Sequence, residues 1–199
     1  MQPDYWNEAC QYLSEKDNIL SEIIAEHDGE FLDSNSDALH SLTRAIVGQQ
    51  ISVKASQAIW NRLETLLGSF TVENILSADQ DKLREAGLSR PKIKYVRSIA
   101  DNFQNGTVDP SKFSDLSDEE LIIILCKIKG IGRWTAEMFL MFHQQRPDVF
   151  PLDDLGIKKA IKRHYNSEEY ALISDDWKPY RTVASWFLWR SLDSEAVTY

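Results

Sequence analysis

Helical periodicity runs through nearly the whole chain and leaves little room for a sheet. Segments 4–14 and 17–27 are amphipathic and acidic. Ser36 stands where it can cap a helix running to about Gln49, with Leu39, Leu42, Ala45 and Ile46 on one stripe. Ser52 can cap the next, with Ala55, Ile59, Leu63 and Leu66 apolar and Gly68 as its stop. Ser77 to Gln80 reads as a capping box for a short helix ending at Gly87. Pro91 suits the first turn of a helix through Ala100. Asn105-Gly106 and Asp109-Pro110 mark a loop. Ser117 to Glu120 forms a second capping box before Leu121 to Lys127. Residues 133–144 and 155–164 read as helices, and Pro179 opens a last one to about Leu192. Ile122-Ile123-Ile124 fits a buried strand as well as a helix, because so short an apolar run has no readable period. The capping box before it favours helix. No hairpin-forming pair of alternating segments occurs, so an all-α fold is expected.

Composition bounds the rest. The 199 residues suit one domain or two small, closely packed ones. With 43% hydrophobic and 27% charged residues, wholesale disorder is excluded. The longest apolar run, Leu121 to Cys126, falls far short of the ~20 residues that span a bilayer. The first residues show neither a basic start nor an apolar stretch, so no export signal is expected. Cys10 and Cys126 are the only cysteines, too few for a disulfide scaffold, an all-cysteine zinc site or an iron–sulfur cluster. A reducing cytoplasm is the expected compartment. The net charge of −9 is localised: residues 1–40 hold ten acids against Lys16, and residues 41–199 hold 21 acids and 21 bases. The acidic start reads as a solvated helical face.

The chemistry concentrates near residue 130. The run Leu125-Cys-Lys-Ile-Lys-Gly-Ile-Gly-Arg-Trp-Thr135 ends one helix, turns through Gly130-Ile131-Gly132 and starts another. Glycines there permit positive φ and leave no Cβ above the backbone. The second helix offers its first N–H groups and its positive dipole end, which together can receive a phosphate. Lys129 and Arg133 flank that turn. Further on, Pro151-Leu-Asp-Asp154 opens a helix with Ile157, Ala160 and Ile161 apolar. One of the two acids serves as its N-cap; both cannot easily do so. Trp186 and Trp189 fall on one helix face.

Together these segments resemble the helix-hairpin-helix, Gly/Pro-Asp (HhH-GPD) family of DNA glycosylases, and within it the bacterial 3-methyladenine DNA glycosylase II branch. The resemblance rests on Ile46-Val-Gly-Gln-Gln-Ile-Ser-Val53, Gly87-Leu-Ser-x-x-Lys92, the hairpin with Arg133 to Ala136, Pro151 to Asp154, Trp177-Lys-Pro-Tyr-Arg181 and Trp189. It implies two packed helical subdomains with the active site in the cleft between them. Residues 1–40 would join one subdomain with about 155–199. Residues 41–150 would form the other, containing the hairpin at 117–144. The longer bacterial enzyme has an extra N-terminal domain; only a stretch of about 35 residues, rich in acids, precedes the shared region here, so that domain is expected to be missing.

The resemblance also assigns roles. Base excision breaks a C1′–N bond through an oxocarbenium-like sugar, which a carboxylate stabilises. The family's catalytic aspartate maps onto Asp154, with Asp153 as the alternative. Trp134 and Trp189 map onto the pocket that takes the flipped base, where their faces suit a cationic purine. Met138 stands where the longer enzyme has an aromatic residue. Gln50 and Ile51 map onto the wedge that fills the vacated stack. Lys129, Gly130, Gly132, Arg133 and Thr135 map onto the phosphate-binding hairpin. The backbone carbonyls of Cys126, Ile128 and Ile131 map onto a site for a monovalent cation, Na+ or K+; no other cofactor is implied. Lys82 to Arg97 and Lys158 to Arg163 are further basic runs for phosphate contact, and Arg181 is expected to pair with an acid near the active site. Family members that also cleave the backbone carry a lysine where this chain has Trp134, so a monofunctional enzyme is expected. The expected activity is base-excision repair of alkylation damage in double-stranded DNA, removing bases such as 3-methyladenine, by a monomer in the bacterial cytosol. The alternatives are a monofunctional glycosylase for deaminated or mismatched bases, and a non-catalytic helix-hairpin-helix DNA-binding module.

Overall fold

The fold is described from a computed structural model, over residues 1–33 and 37–192. Every regular element among these residues is helical. The α-helices are α1 (Trp6–Lys16), α2 (Asn18–Glu26), α3 (Ala38–Gly48), α4 (Val53–Leu67), α5 (Val72–Ser77), α6 (Gln80–Glu85), α7 (Arg90–Gln104), α8 (Asp118–Leu125), α9 (Arg133–Phe142), α10 (Leu155–Tyr165), α11 (Tyr170–Asp175) and α12 (Arg181–Arg190). A single 3-10 helix, Pro110–Asp115, occupies part of the expected loop. Residues 122–124 are helical, as the capping box implied: the Ser117 hydroxyl accepts from the Glu120 amide while the Glu120 carboxylate accepts from the Ser117 amide.

Several boundaries differ from expectation for local reasons. Asp37 caps α3, its carboxylate accepting from the His40 amide at 2.8 Å; Ser36 lies outside the described residues. Asp79, not Ser77, caps α6, and Ser77 instead ends α5, a helix the periodicity did not reveal. The helix after Pro91 continues beyond Ala100 to Gln104. The last helix starts at Arg181, two residues after Pro179.

The chain divides into two units. One comprises the described residues up to 33 together with those from 140 to 192, the other residues 37–139. In the second, α7 packs against α3, α5 and α6, and its Ile93, Val96 and Ile99 are buried. In the first, α12 packs against α1, α2 and α10. Its Val183, Ala184, Phe187 and Leu188 are fully enclosed, and Trp6 stands edge-on to Trp186 at 5.3 Å. Asp17 ties this unit together. One carboxylate oxygen caps α2 through the Ile19 and Leu20 amides, and the other accepts from the Tyr165 hydroxyl at 2.7 Å and the Trp177 indole at 2.9 Å. Burial and the Asp17 carboxylate push the Tyr165 phenol far above its ordinary range. The acidic start is therefore not only a solvated face: Glu8 accepts from the Tyr180 hydroxyl and Glu30 pairs with Arg190.

Asp17→Ala removes a helix cap and strands two buried donors. It should lower unfolding stability by about 2–4 kcal/mol, read from urea denaturation, with the two donors accounting for more than the cap.

Candidate active site

The hairpin is built by constraints on single residues. Gly130 has φ +89°, and a Cβ there would lie 2.4–2.9 Å from ring carbons of Tyr95, so both backbone and neighbour demand glycine. Gly132 is different. It faces open space, with nothing within 4 Å of an added Cβ. The Lys129 amide donates to the Ser98 hydroxyl at 3.1 Å. Helix α9 follows, its first internal bond running from the Ala136 amide to the Gly132 carbonyl. The amides of the first turn of α9 are therefore directed along its axis toward the Gly130–Gly132 turn. Trp134 is 37% exposed, Lys129 lies at the surface, and Thr135 and Met138 are buried.

Arg133 does not project freely beside this turn. Its guanidinium forms a fork on Glu119 at 2.9 and 2.7 Å and reaches Glu137 at 3.1 Å. It clamps α8 to α9, and the two carboxylates raise its pKa further. The basic run Lys82 to Arg97 is likewise partly internal. Lys92 donates to the carbonyls of Val47 and Gln49 at 2.7 and 2.8 Å, and burial lowers its pKa. Arg97 donates to Ala78. Of the run at α10, Lys158 pairs with Asp153 and Lys162 with Glu168. The Ile128 carbonyl already accepts from the Ile131 amide at 3.1 Å. A carbonyl has two lone pairs, so this does not bar it from coordinating with Cys126 and Ile131.

The turn from α3 to α4 carries Gln50 and Ile51. Gln50 is exposed and has φ +58°, a left-handed conformation uncommon outside glycine. Ile51 is half-exposed.

Within the other unit, the segment 146–154 is fixed by α12. The Thr182 hydroxyl donates to the Arg146 carbonyl at 2.5 Å and accepts from the Val149 amide at 3.0 Å. Arg181 forks onto Asp148 at 2.7 and 2.9 Å, the structural pairing expected of it. This segment delivers Asp154, which caps α10. A single carboxylate oxygen, Oδ1, accepts from the Ile157 amide and from the Trp189 indole, each at 2.8 Å. Asp154 is 9% exposed and Trp189 8%. The Trp189 ring stacks on Phe142 at 5.8 Å. Asp153, by contrast, projects into solvent and pairs with the Lys158 ammonium.

Gly156 completes this arrangement and was not foreseen. A Cβ there would come within 3.0 Å of Asp154 Oδ1 and of Cδ1 and Nε1 of Trp189. A glycine in the first turn of a helix is unfavourable on propensity alone, so its presence was the available signal that something approaches closely. Phe142, Gln49, Tyr95 and Ser98 carried no such signal.

The two hairpin glycines should therefore separate. Gly130→Ala should destabilise the fold by about 2 kcal/mol or more, through a strained φ and the Tyr95 contact. Gly132→Ala should stay within about 0.5 kcal/mol of the parent. Chemical denaturation of both variants reads this directly.

Residues 43–176 match the family of HhH-GPD superfamily base excision DNA repair proteins. DNA-3-methyladenine glycosylase 1 of Schizosaccharomyces pombe is 39% identical over 160 residues, covering 75% of this chain and 70% of that protein. A 3-methyladenine DNA glycosylase of the same yeast, solved with abasic DNA, matches with a TM-score of 0.83 and 33% identity, over 96% of this chain and 100% of that one. A DNA-3-methyladenine glycosidase from Bacillus halodurans matches with a TM-score of 0.83 and 32% identity, over 92% and 88%. Covering 134 residues of the chain, the family match joins the hairpin and Asp154 in one signature: the chain belongs to the HhH-GPD superfamily of base excision DNA repair proteins.

Proposed function

We propose that this chain is a monofunctional DNA glycosylase that removes N-alkylated purines such as 3-methyladenine from duplex DNA and leaves an abasic site. The observation that carries the reading is the Asp154 carboxylate, held by two N–H groups on one oxygen beside Gly156, where an added Cβ would press on both Asp154 and Trp189 at 3.0 Å. A carboxylate fixed before substrate arrives costs no reorganisation when positive charge develops at C1′. The names of the relatives point to the same substrate class.

In this mechanism the C1′–N bond breaks and its electron pair leaves with the base. An alkylated purine already carries positive charge, so it departs as a neutral molecule and needs no strong general acid. Asp154 stabilises the sugar cation and takes the proton of the water whose oxygen bonds to C1′. Trp134, exposed on the first turn of α9, offers a face for stacking and cation–π attraction to the extruded base. Trp189 acts on the carboxylate instead: its N–H positions Asp154. The α9 amides and the open space at Gly132 suit a DNA phosphate. Cys126, Ile128 and Ile131 would hold a monovalent cation through neutral oxygens, and when bound it would add positive charge next to that phosphate. With tryptophan at position 134 there is no amine there to form a Schiff base, so strand cleavage is not part of the reaction.

Asp154→Asn keeps the shape and the cap but removes the charge. Single-turnover excision should fall at least ~100-fold, while affinity for abasic DNA is retained. Asp153→Asn should leave excision near parental, and the opposite result would assign the reaction to Asp153. Borohydride should trap no enzyme–DNA adduct. Gly132→Ala should weaken binding to undamaged and abasic duplexes alike, because a phosphate contact is blind to the base.

A further inference from the structure

Helix α7 carries a row of three side chains, spaced three residues apart, that reach both DNA-facing turns of its own unit. Lys92 donates to the Val47 and Gln49 carbonyls at 2.7 and 2.8 Å, beneath the Gln50 turn. The Tyr95 ring lies against Gly130. The Ser98 hydroxyl accepts from the Lys129 amide at 3.1 Å. A fourth contact joins the two turns directly: the Gln49 side-chain amide donates to the Gly130 carbonyl at 3.1 Å.

From this we infer that α7 and Gln49 form a register device that fixes the Gln50–Ile51 wedge at a set distance from the phosphate-binding hairpin, with Lys92 and Gln49 as positioning residues. The inference rests on the proposed roles of those two turns. Its physical content is rigidity. Gln50 adopts a left-handed conformation that costs free energy and persists only where its surroundings over-determine it. Two bonds from one ammonium group to the carbonyls just before it supply that determination, and the Gln49 amide ties the same residue to the hairpin. Wherever the hairpin grips a phosphate, the wedge is then carried to one point along the stack. Without the tie, hairpin binding and wedge insertion become separate events, and the ordering cost of the turn falls on the flipping step.

The full-length chain tests this through Lys92→Met, Lys92→Arg and Gln49→Leu, each checked by thermal unfolding. Three readouts are needed. They are affinity for undamaged duplex, 2-aminopurine fluorescence beside a lesion as a report of unstacking, and single-turnover release of 3-methyladenine. On a paired duplex, Lys92→Met and Gln49→Leu should each slow unstacking and release about tenfold, the scale of one or two lost hydrogen bonds. Affinity for undamaged duplex should stay within about twofold. On a lesion placed opposite an abasic gap, where little stacking must be broken, the same variants should release base at nearly the parental rate. Lys92→Arg should recover part of the loss, since a guanidinium can donate to the same carbonyls. Equal loss on both substrates, a parallel loss of undamaged-duplex affinity, or no loss at all would overturn the inference. Lys92→Met removes a half-buried cation and can weaken the fold; Gln49→Leu removes one half-buried amide and keeps the test open. If the parent releases no base, the proposed function fails, while the 2-aminopurine signal still decides whether the wedge is set by Lys92 and Gln49.

Discussion

Two N–H groups converge on one oxygen of Asp154, one from the first turn of α10 and one from the indole of Trp189. That meeting point constrains everything near it. It requires α12 to pass close enough to α10 for the indole to reach, which leaves a side chain at Gly156 only tight contacts of 3.0 Å to Asp154 and Trp189. It requires the segment before Asp154 to arrive at a fixed height, and Arg181 and Thr182, about two turns before Trp189 on α12, hold that segment through Arg146, Val149 and Asp148. It requires α12 itself not to move, and α1, α2 and α10 enclose it. A helix cap alone would fix the carboxylate to its own helix. The indole fixes it to a second one.

The 37–139 stretch solves a different problem with similar means. Its turns are irregular backbone, and each is pinned by side chains from a regular helix. Charged groups that look available for phosphate are directed at the protein instead: Lys92 and Arg97 at carbonyls, Arg133 at Glu119 and Glu137. Buried or half-buried cations gain most from such fixed acceptors, because water no longer competes for them. The consequence is a hairpin turn held by the protein's own Tyr95, Ser98 and Gln49 side chains.

The all-helical fold was legible because capping residues and apolar stripes agree along the chain. Boundaries were less so. Ser77 and Asp79 are both good caps two residues apart, and only the point where helical dihedrals begin decides between them. Helices α5 and α11 are six residues each, too short to display a full stripe. The same limit applies at the site. Cap preference does not say which of Asp153 and Asp154 caps α10; in the structure Asp154 does, and it also accepts from Trp189, 35 residues further on. Nor does a sequence reveal where a charge points. Lys92 and Arg133 read as phosphate contacts because their type and place allow it; the acceptors their side chains hold within the protein are visible only in the structure.

Charge distribution bears on how such a hairpin meets a polyanion. Residues 37–139, which carry the hairpin and the Gln50 turn, hold 13 acidic and 13 basic side chains, so the net charge of −9 lies wholly outside them. A balanced stretch neither draws DNA from a distance nor repels it beyond a Debye length of about 8–10 Å. Oriented backbone dipoles, which act within the first turn of a helix, do not depend on that balance. Dipoles of that range reward only a phosphate seated against the backbone. At Gly132 an added Cβ would meet nothing in the protein, so the space beside the first turn of α9 is open to a group of that kind.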